Sequence, residues 1–288
     1  MNPLADTLGV VHSSVSSIQL SDSGYQPRIA CLVPSITELL FALNLGDQVV
    51  ARTGYCIHPA ERVSRIPKVG GTKTVNLKKL RQIAPTHVIV NMEENTKACV
   101  DELRAFVPHV IITHPVQFLD NIQLYQLLGA IFDRTALADN LVSDLTSSIK
   151  VVSHPNHLVD ISVLYLIWQD PWMTISPNTY IADVLAHAGL KSIDTNDLQV
   201  DGSAVRYPSL DQSQLLSSPV DAILLSTEPF SFTQEHANHL EAQMAQAGRY
   251  VPCLLVDGEL TSWYGSRALR SLPYLADLRG QIEQRLAR

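Results

Sequence analysis

The stretch RIACLVPSITELLFAL, Arg28 to Leu43, decides how the rest of the chain is read. Its first part, Arg28 to Val33, carries an unbroken apolar run of the kind that forms a parallel strand covered on both faces. Its second part has helical spacing, and Ser35 with Glu38 three residues on reads as an N-cap and capping box for a helix from Ser35 to Leu43. A buried strand running straight into a helix is the opening half of a βαβ unit.

The alternation repeats downstream. A strand is expected around Val49–Thr53, a helix over Asn76–Ile83 stopped by Pro85, a strand at His87–Asn91, a helix over Lys97–Phe106 and a strand at His109–His114. Two helical segments follow, Leu119–Phe132 and Ala136–Val152. The second carries an apolar stripe at Leu137, Leu141, Leu145, Ile149 and Val152 that should lie against the protein, and it ends at the breaker His154-Pro155-Asn156. A second α/β series then begins, with strands at Ile161–Trp168 and Met173–Ile175, a helix over Tyr180–Ala188 stopped by Gly189, and strands at Ala222–Ser226 and Cys253–Val256 around a Thr233–Ala247 helix. From Trp263 onward the pattern is helical, with a break near Pro273. The fold class this predicts is α/β: two Rossmann-like lobes with mainly parallel sheets, joined by a single long helix. The expected organisation is an N-terminal extension over 1–27, a lobe over 28–134, the bridging helix over 135–158 and a second lobe over 159–288.

Composition narrows the function. Of the 288 residues, 46% are hydrophobic and 17% charged, with a net charge of −7. That is a globular chain without the basic face a nucleic acid requires. Runs such as Val163 to Trp168 are too short to span a bilayer, so no membrane insertion is expected. The first 27 residues lack a positive start, an apolar core and a small-residue cleavage site, which leads to the expectation of a cytoplasmic protein. Cys31, Cys56, Cys99 and Cys253 form no C-x-x-C pair and match neither a disulfide framework nor a zinc ribbon.

In open parallel sheets, ligands bind beyond the carboxyl ends of the strands. The segments that follow the predicted strands hold Pro34 and Ser35, Gly54 to Pro59, Gly70 to Thr72, Asn91 to Asn95, His114 and Pro115, Trp168 to Trp172, Thr227 to Phe230, and Asp257 to Glu259 leading to Ser262 to Arg267. All three tryptophans of the chain are among them, and aromatic bodies with a few polar tips suit a cleft for a bulky, flat or apolar ligand. Trp168 and Trp172 read equally well as core at a strand end. Cys56 and His58, two apart, would point the same way along an extended segment toward a soft metal, although two ligands alone do not make a site. Gly70-Gly71 reads as a tight turn. The chain contains no phosphate loop, no G-x-S-x-G elbow and no H-E-x-x-H.

The order of the pieces RIACLVPSITELLFAL, TGYCIHP, KVGGTKTVNL and LRQIAPTHVIVN resembles the first lobe of the periplasmic vitamin B12-binding and ferric-siderophore-binding proteins. These are the helical-backbone metal receptors, the substrate-binding components of ABC importers. The match covers about residues 28 to 133, and WYGSR extends it more loosely toward the C-terminus. The resemblance implies a corrinoid, siderophore or other iron chelate bound between the lobes, and an ABC importer as partner. Carried over by position, Pro34, Ser35, Tyr55, Gly71, Thr72, Asn91, Glu93 and Asn95 would line the first wall, and Trp263, Tyr264 and Arg267 the second. Lys97 stands where relatives carry a docking carboxylate, and Thr72 and Asn91 stand near positions at which the B12-binding protein has tryptophans.

The expected function is therefore non-enzymatic binding of a small metal chelate, with Trp168 and Trp172 added to the ligand-contacting residues. Two alternatives stand beside it: an enzyme built on Cys56, His58 and Glu93 or Glu94, and a sensor that reports ligand occupancy to a protein partner.

Overall fold

The computed structural model describes residues 26–152, 159–194 and 205–287. The chain divides into two units. Unit 1 takes the chain to Pro115 together with Leu119–Asp144 and Tyr264–Ser266. Its strands are β1 (Ile29–Cys31), β2 (Val49–Arg52), β3 (His87–Asn91) and β4 (His109–Thr113), which form an all-parallel sheet in the order β2-β1-β3-β4. β3 and β4 pair without a slip from His87 opposite His109 to Asn91 opposite Thr113. Parallel strands need crossovers, and these are supplied by α1 (Pro34–Ala42), α2 (Ala60–Val63), α3 (Leu77–Ile83) and α4 (Lys97–Arg104), with α5 (Asp120–Ile131) following β4. Ala30, Val88, Val90 and Val110 of the strands, with Leu32 just past β1, pack with Leu80, Val100 and Leu103 of the helices as one core.

The start of α1 differs from the expected capping box. Val33 occupies the N-cap position and makes no side-chain cap bond, and Pro34 is the first helical residue. Proline loses nothing there, because its missing N–H would be unpaired anyway and its φ is already helical. Ser35 is drawn into the first turn and buried. Elsewhere the cap chemistry follows the sequence: Asn76 accepts from the Lys79 amide at 2.9 Å, and α3 ends at Ala84 with φ 51°, just before Pro85.

Helix α6 (Thr135–Val152) carries the chain from unit 1 into unit 2, the division falling between Asp144 and Leu145. Leu145 is buried, and Leu137, Leu141 and Ile149 are half-buried, as the stripe predicts. The breaker at His154-Pro155-Asn156 lies outside the described residues, as does the extension to residue 25.

Unit 2 comprises Val116–Phe118, Leu145–Trp263 and Arg267–Arg288. Its strands β5 (Ile161–Trp168), β6 (Trp172–Thr174), β7 (Leu190–Ser192), β8 (Ser209–Leu210), β9 (Ala222–Ser226) and β10 (Cys253–Val256) form one sheet in the order β10-β9-β5-β6-β8. One edge of β5 is shared. β7 pairs with its root in parallel, at Ile161 to Val163, and β6 pairs with its tip antiparallel, at Leu166 to Trp168. The helices are α7 (Tyr180–His187), α8 (Gln212–Ser217), α9 (Gln234–Gln246), α10 (Gly258–Ser262) and α11 (Ala268–Leu286).

The expected break at Pro273 is absent, for α11 runs through it. The proline removes one backbone bond, but Ala268, Leu272, Leu275, Leu278 and Ile282 keep a continuous buried face on either side of it. Arg279, on the same helix, is buried and donates to the carbonyls of Gly189 and Val159, both at 2.8 Å. It thereby holds the turn before β7 and the chain just before β5.

Candidate functional site

In unit 1 the loop after β2 is built on a buried arginine. Arg52 donates from Nε to the Val63 carbonyl at 2.7 Å, and from Nη1 to the carbonyls of Thr53 at 3.1 Å and Cys56 at 3.0 Å. These bonds shape the segment that presents Tyr55, whose side chain is 64% exposed. Beside it the chain turns tightly at Gly70, where φ is 105°, and the Gly71 amide donates to the Thr74 carbonyl at 3.1 Å. A Cβ placed on Gly71 would stand 3.4 Å from the Tyr55 ring, so the ring and this turn adjoin.

The loop after β3 is organised by two buried asparagines. Asn91 Oδ1 accepts from the amide of Glu93 at 2.8 Å, while Asn95 Oδ1 accepts from the Asn91 amide at 2.9 Å and Asn95 Nδ2 donates to the Thr72 carbonyl at 2.9 Å. Asn91 is thus spent inside its own loop, and Asn95 on joining that loop to Thr72. Glu93, half-buried, meets His114 Nε2 at 3.2 Å, and Glu94 accepts from the Tyr264 hydroxyl at 2.9 Å. Burial and the nearby Glu94 carboxylate both push the Tyr264 phenol upward, so it remains a donor. Tyr264, expected on the second wall, belongs to unit 1. Met92, the apolar member of the Asn91–Asn95 segment, is 58% exposed, and Ile57 is exposed as well. Strand-end polarity alone directs attention away from these two.

In unit 2, Trp168 ends β5 at 39% exposure and meets Phe230 edge-on, with ring centres 5.5 Å apart. Trp172 is half-buried, stacks on Phe232 at 6.2 Å, and donates from Nε1 to Gln212 Oε1 at 2.8 Å. Phe230 and Phe232 touch at 4.6 Å, which makes one aromatic cluster after β5 and β9. Near β10 the arrangement is polar and closed. Trp263 is buried and donates to Glu228 Oε2 at 2.9 Å, and Arg267, 7% exposed, pairs with Glu259 at 2.7 Å while lying 4.9 Å over the Trp263 ring. Burial first, and Glu259 second, push the Glu228 carboxyl upward. Arg267 is therefore committed to a protein carboxylate. Glu228 and Glu259 are among the strand-end residues the sequence names, and Phe232 lies two residues past Phe230; Arg52 carries no such signal, because a strand arginine looks like surface until its burial is seen.

Cys56 is a buried thiol 3.1 Å from the Thr53 hydroxyl, and burial pushes its pKa upward. A neutral thiol in the core is a poor nucleophile and a poor ligand. His58 is half-buried on the following turn. Among the described residues no group of three or more His, Cys, Asp or Glu could hold a metal ion. All four cysteines are free and buried.

A family model described as periplasmic binding protein matches residues 29–247. The chain belongs to the periplasmic binding protein family.

Members of the periplasmic binding protein family share this architecture at low identity. The vitamin B12-binding protein of Pectobacterium atrosepticum is 22% identical over 206 residues, covering 69% of this chain and 71% of its own. The crystal structure of the periplasmic vitamin B12-binding protein of Vibrio cholerae superposes with a TM-score of 0.74 at 17% identity, over 91% of this chain and all of the other. The periplasmic heme-binding protein of Roseiflexus sp. RS-1 in apo form gives 0.71 at 19% identity, over 91% of this chain and 100% of the other. The α/β fold of the class III binding proteins follows from these likenesses. The family is one of ABC-transporter substrate-binding proteins and not of enzymes, which decides between the binding reading and its catalytic alternative.

The same membership overturns the expected cytoplasmic placement. The family and these relatives are periplasmic or otherwise extracytoplasmic binding proteins. That expectation rested on missing features in residues 1–27, and a missing signal carries no positive information about location. Among the described residues no helix is long and apolar enough to cross a membrane.

Proposed function

We propose that this chain captures a metal chelate, a corrinoid, an iron-bearing macrocycle or a siderophore, and hands it to an ABC importer. The observation that carries this reading is the exposure of large apolar side chains at the strand ends of each unit: Tyr55 and Met92 in unit 1, and Trp168 in unit 2. Such side chains are normally hidden, and grouped exposure marks a binding surface. Relatives named for vitamin B12 and heme support a planar chelate as the occupant. Tyr55 and Trp168 would offer ring faces, Met92 an adaptable thioether, and Trp172 an edge stiffened by Phe232. Pro34, Ser35, Gly71, Thr72, Asn91 and Asn95 would shape the wall rather than touch the ligand through their side chains. Trp263, Tyr264 and Arg267 would likewise act from behind it.

The test is titration of the purified chain with cyanocobalamin, hemin and a ferric hydroxamate siderophore, followed by calorimetry and by the visible spectrum of the chelate. Saturable one-to-one binding of one of them in the micromolar range or tighter is expected, weakened in Tyr55→Ala and Trp168→Ala. No binding of any of the three would sink the reading.

A further inference from the structure

The first two cysteines of the chain meet inside unit 1. Cys31 closes β1, and Cys56 sits in the loop after the neighbouring parallel strand β2; both are fully buried. Cys56 Sγ lies 3.8 Å from the Cys31 carbonyl oxygen and 3.1 Å from the Thr53 hydroxyl, while Cys31 Sγ donates to the Val33 carbonyl at 3.3 Å. Thr37, in the first turn of α1, stands beside both thiols, and charge on the Cys56 sulfur acts directly on Cys31. The other two cysteines have different neighbours: Glu102 acts on Cys99, and Glu241 and Arg285 act on Cys253. Joining the first two sulfurs would leave the Val33 carbonyl satisfied, because it keeps the Thr37 amide and hydroxyl, both at 2.9 Å.

We propose that Cys31 and Cys56 form a disulfide when the chain folds in an oxidising compartment, fastening the Tyr55 loop to the end of β1. The periplasmic setting of the family is one in which disulfides form and persist. The oxidant is a protein or low-molecular-weight disulfide. One cysteine thiolate attacks it and expels a thiolate, leaving a mixed disulfide; the second cysteine thiolate then attacks the mixed disulfide at the cysteine sulfur and expels the other half. Two S–H bonds are replaced by one S–S bond, two electrons pass to the oxidant, and the two protons end on its released thiols. The reaction belongs to the folding chain, because in the native state burial shields both sulfurs and keeps them protonated. A chain isolated under reductant therefore keeps its four thiols.

The test is to refold the full chain from urea in a buffer of reduced and oxidised glutathione, alkylate the remaining thiols and map the tryptic peptides. Cleavage after Arg28, Arg52 and Arg62 puts Cys31 in the peptide 29–52 and Cys56 in the peptide 53–62. The expected result is a cross-link between these two peptides that dithiothreitol separates, in a chain with native circular dichroism. Its urea midpoint should lie above that of the reduced chain, because the bond closes a loop between residues 25 apart in sequence and so restricts the unfolded state. Cys56→Ala should gain nothing from the oxidising buffer. Four free thiols in refolded chain with native circular dichroism would overturn the proposal. So would a cross-link confined to any other pair of cysteines, or an equal rise of the midpoint in Cys56→Ala.

Discussion

The indole N–H of Trp263 donates to Oε2 of Glu228 at 2.9 Å, and this bond joins the loop after β9 to the segment after β10. The acceptor is a half-buried carboxyl whose pKa is raised, so the folded protein binds a proton there more readily than the unfolded chain does. Between the unfolded and folded pKa values the native state holds more protons, and stability falls as pH rises through that window. Glu228→Gln keeps an acceptor for Trp263 and removes the ionisation. Its melting temperature should exceed the parent's at pH 7.5, and the gain should vanish at pH 4. Thermal melts at the two pH values check it; an equal gain at both would show that ionisation is not the cause.

Arg52 donates three charged hydrogen bonds to backbone carbonyls inside unit 1. Arg52→Met removes a charged donor from each of those carbonyls, while Thr53 and Val63 keep the amides of Cys56 and Ile66, and should cost about 3 kcal/mol in urea unfolding. Ligand affinity should drop with it, because the Tyr55 loop loses its support. Arg52→Lys reaches at most part of the set and should fall between parent and Met variant in both measurements.

Gly265 sits at φ 86°, its amide donating to Asn121 Oδ1 at 2.6 Å and its carbonyl accepting from Tyr125 at 2.8 Å. A Cβ there would also lie 3.2 Å from the Ser35 carbonyl oxygen. Gly265→Ala combines backbone strain with crowding and should destabilise by about 1–3 kcal/mol. Gly280→Ala, with nothing within 4 Å of the added methyl and a helical backbone, should be neutral or mildly stabilising. Chemical denaturation of the two variants side by side separates the effects.

Trp168→Ala should leave the unfolding midpoint nearly unchanged while weakening chelate binding at least about tenfold, since an exposed ring contributes more to a ligand contact than to the core. Tryptophan fluorescence quenching on titration reads the binding, and circular dichroism reads the fold.

Cys31, Cys56, Cys99 and Cys253 are buried with thiol pKa values pushed up by burial, Cys253 to about 12. The native protein at pH 7.5 should show no fast-reacting thiol toward a disulfide reagent, and the chain in denaturant should show four. Rapid labelling of Cys56 in the native state would revive a chemical role for it.

The alternation of apolar runs and amphipathic segments made the parallel sheet of unit 1 legible, because strands buried on both faces and helices buried on one carry different periods. β7 and β8 were not legible, since two or three residues show no period and owe their state to neighbours already in place. Pro273 misled because local propensity yields to a continuous buried face. At the candidate site, the strand-end rule names segments but does not say which member of each faces solvent. It ranked Asn91, Asn95 and Arg267 by their polarity, whereas the chain uses that polarity internally and turns Met92 and Ile57 outward. Which member of a loop faces solvent depends on hydrogen bonds reaching tens of residues along the chain, as from Asn95 to Thr72, and no local pattern records them.

The shared edge of β5 has an evolutionary reading. Its root is fastened to β7 and β9, while its tip pairs with a three-residue strand whose other neighbour is only two residues long. The turn between Trp168 and Trp172 can therefore lengthen, shorten or trade its aromatic residues without disturbing the register below it. Under the proposed function that point would be a replaceable cassette, able to change toward a new cargo while the sheet beneath it stays constant.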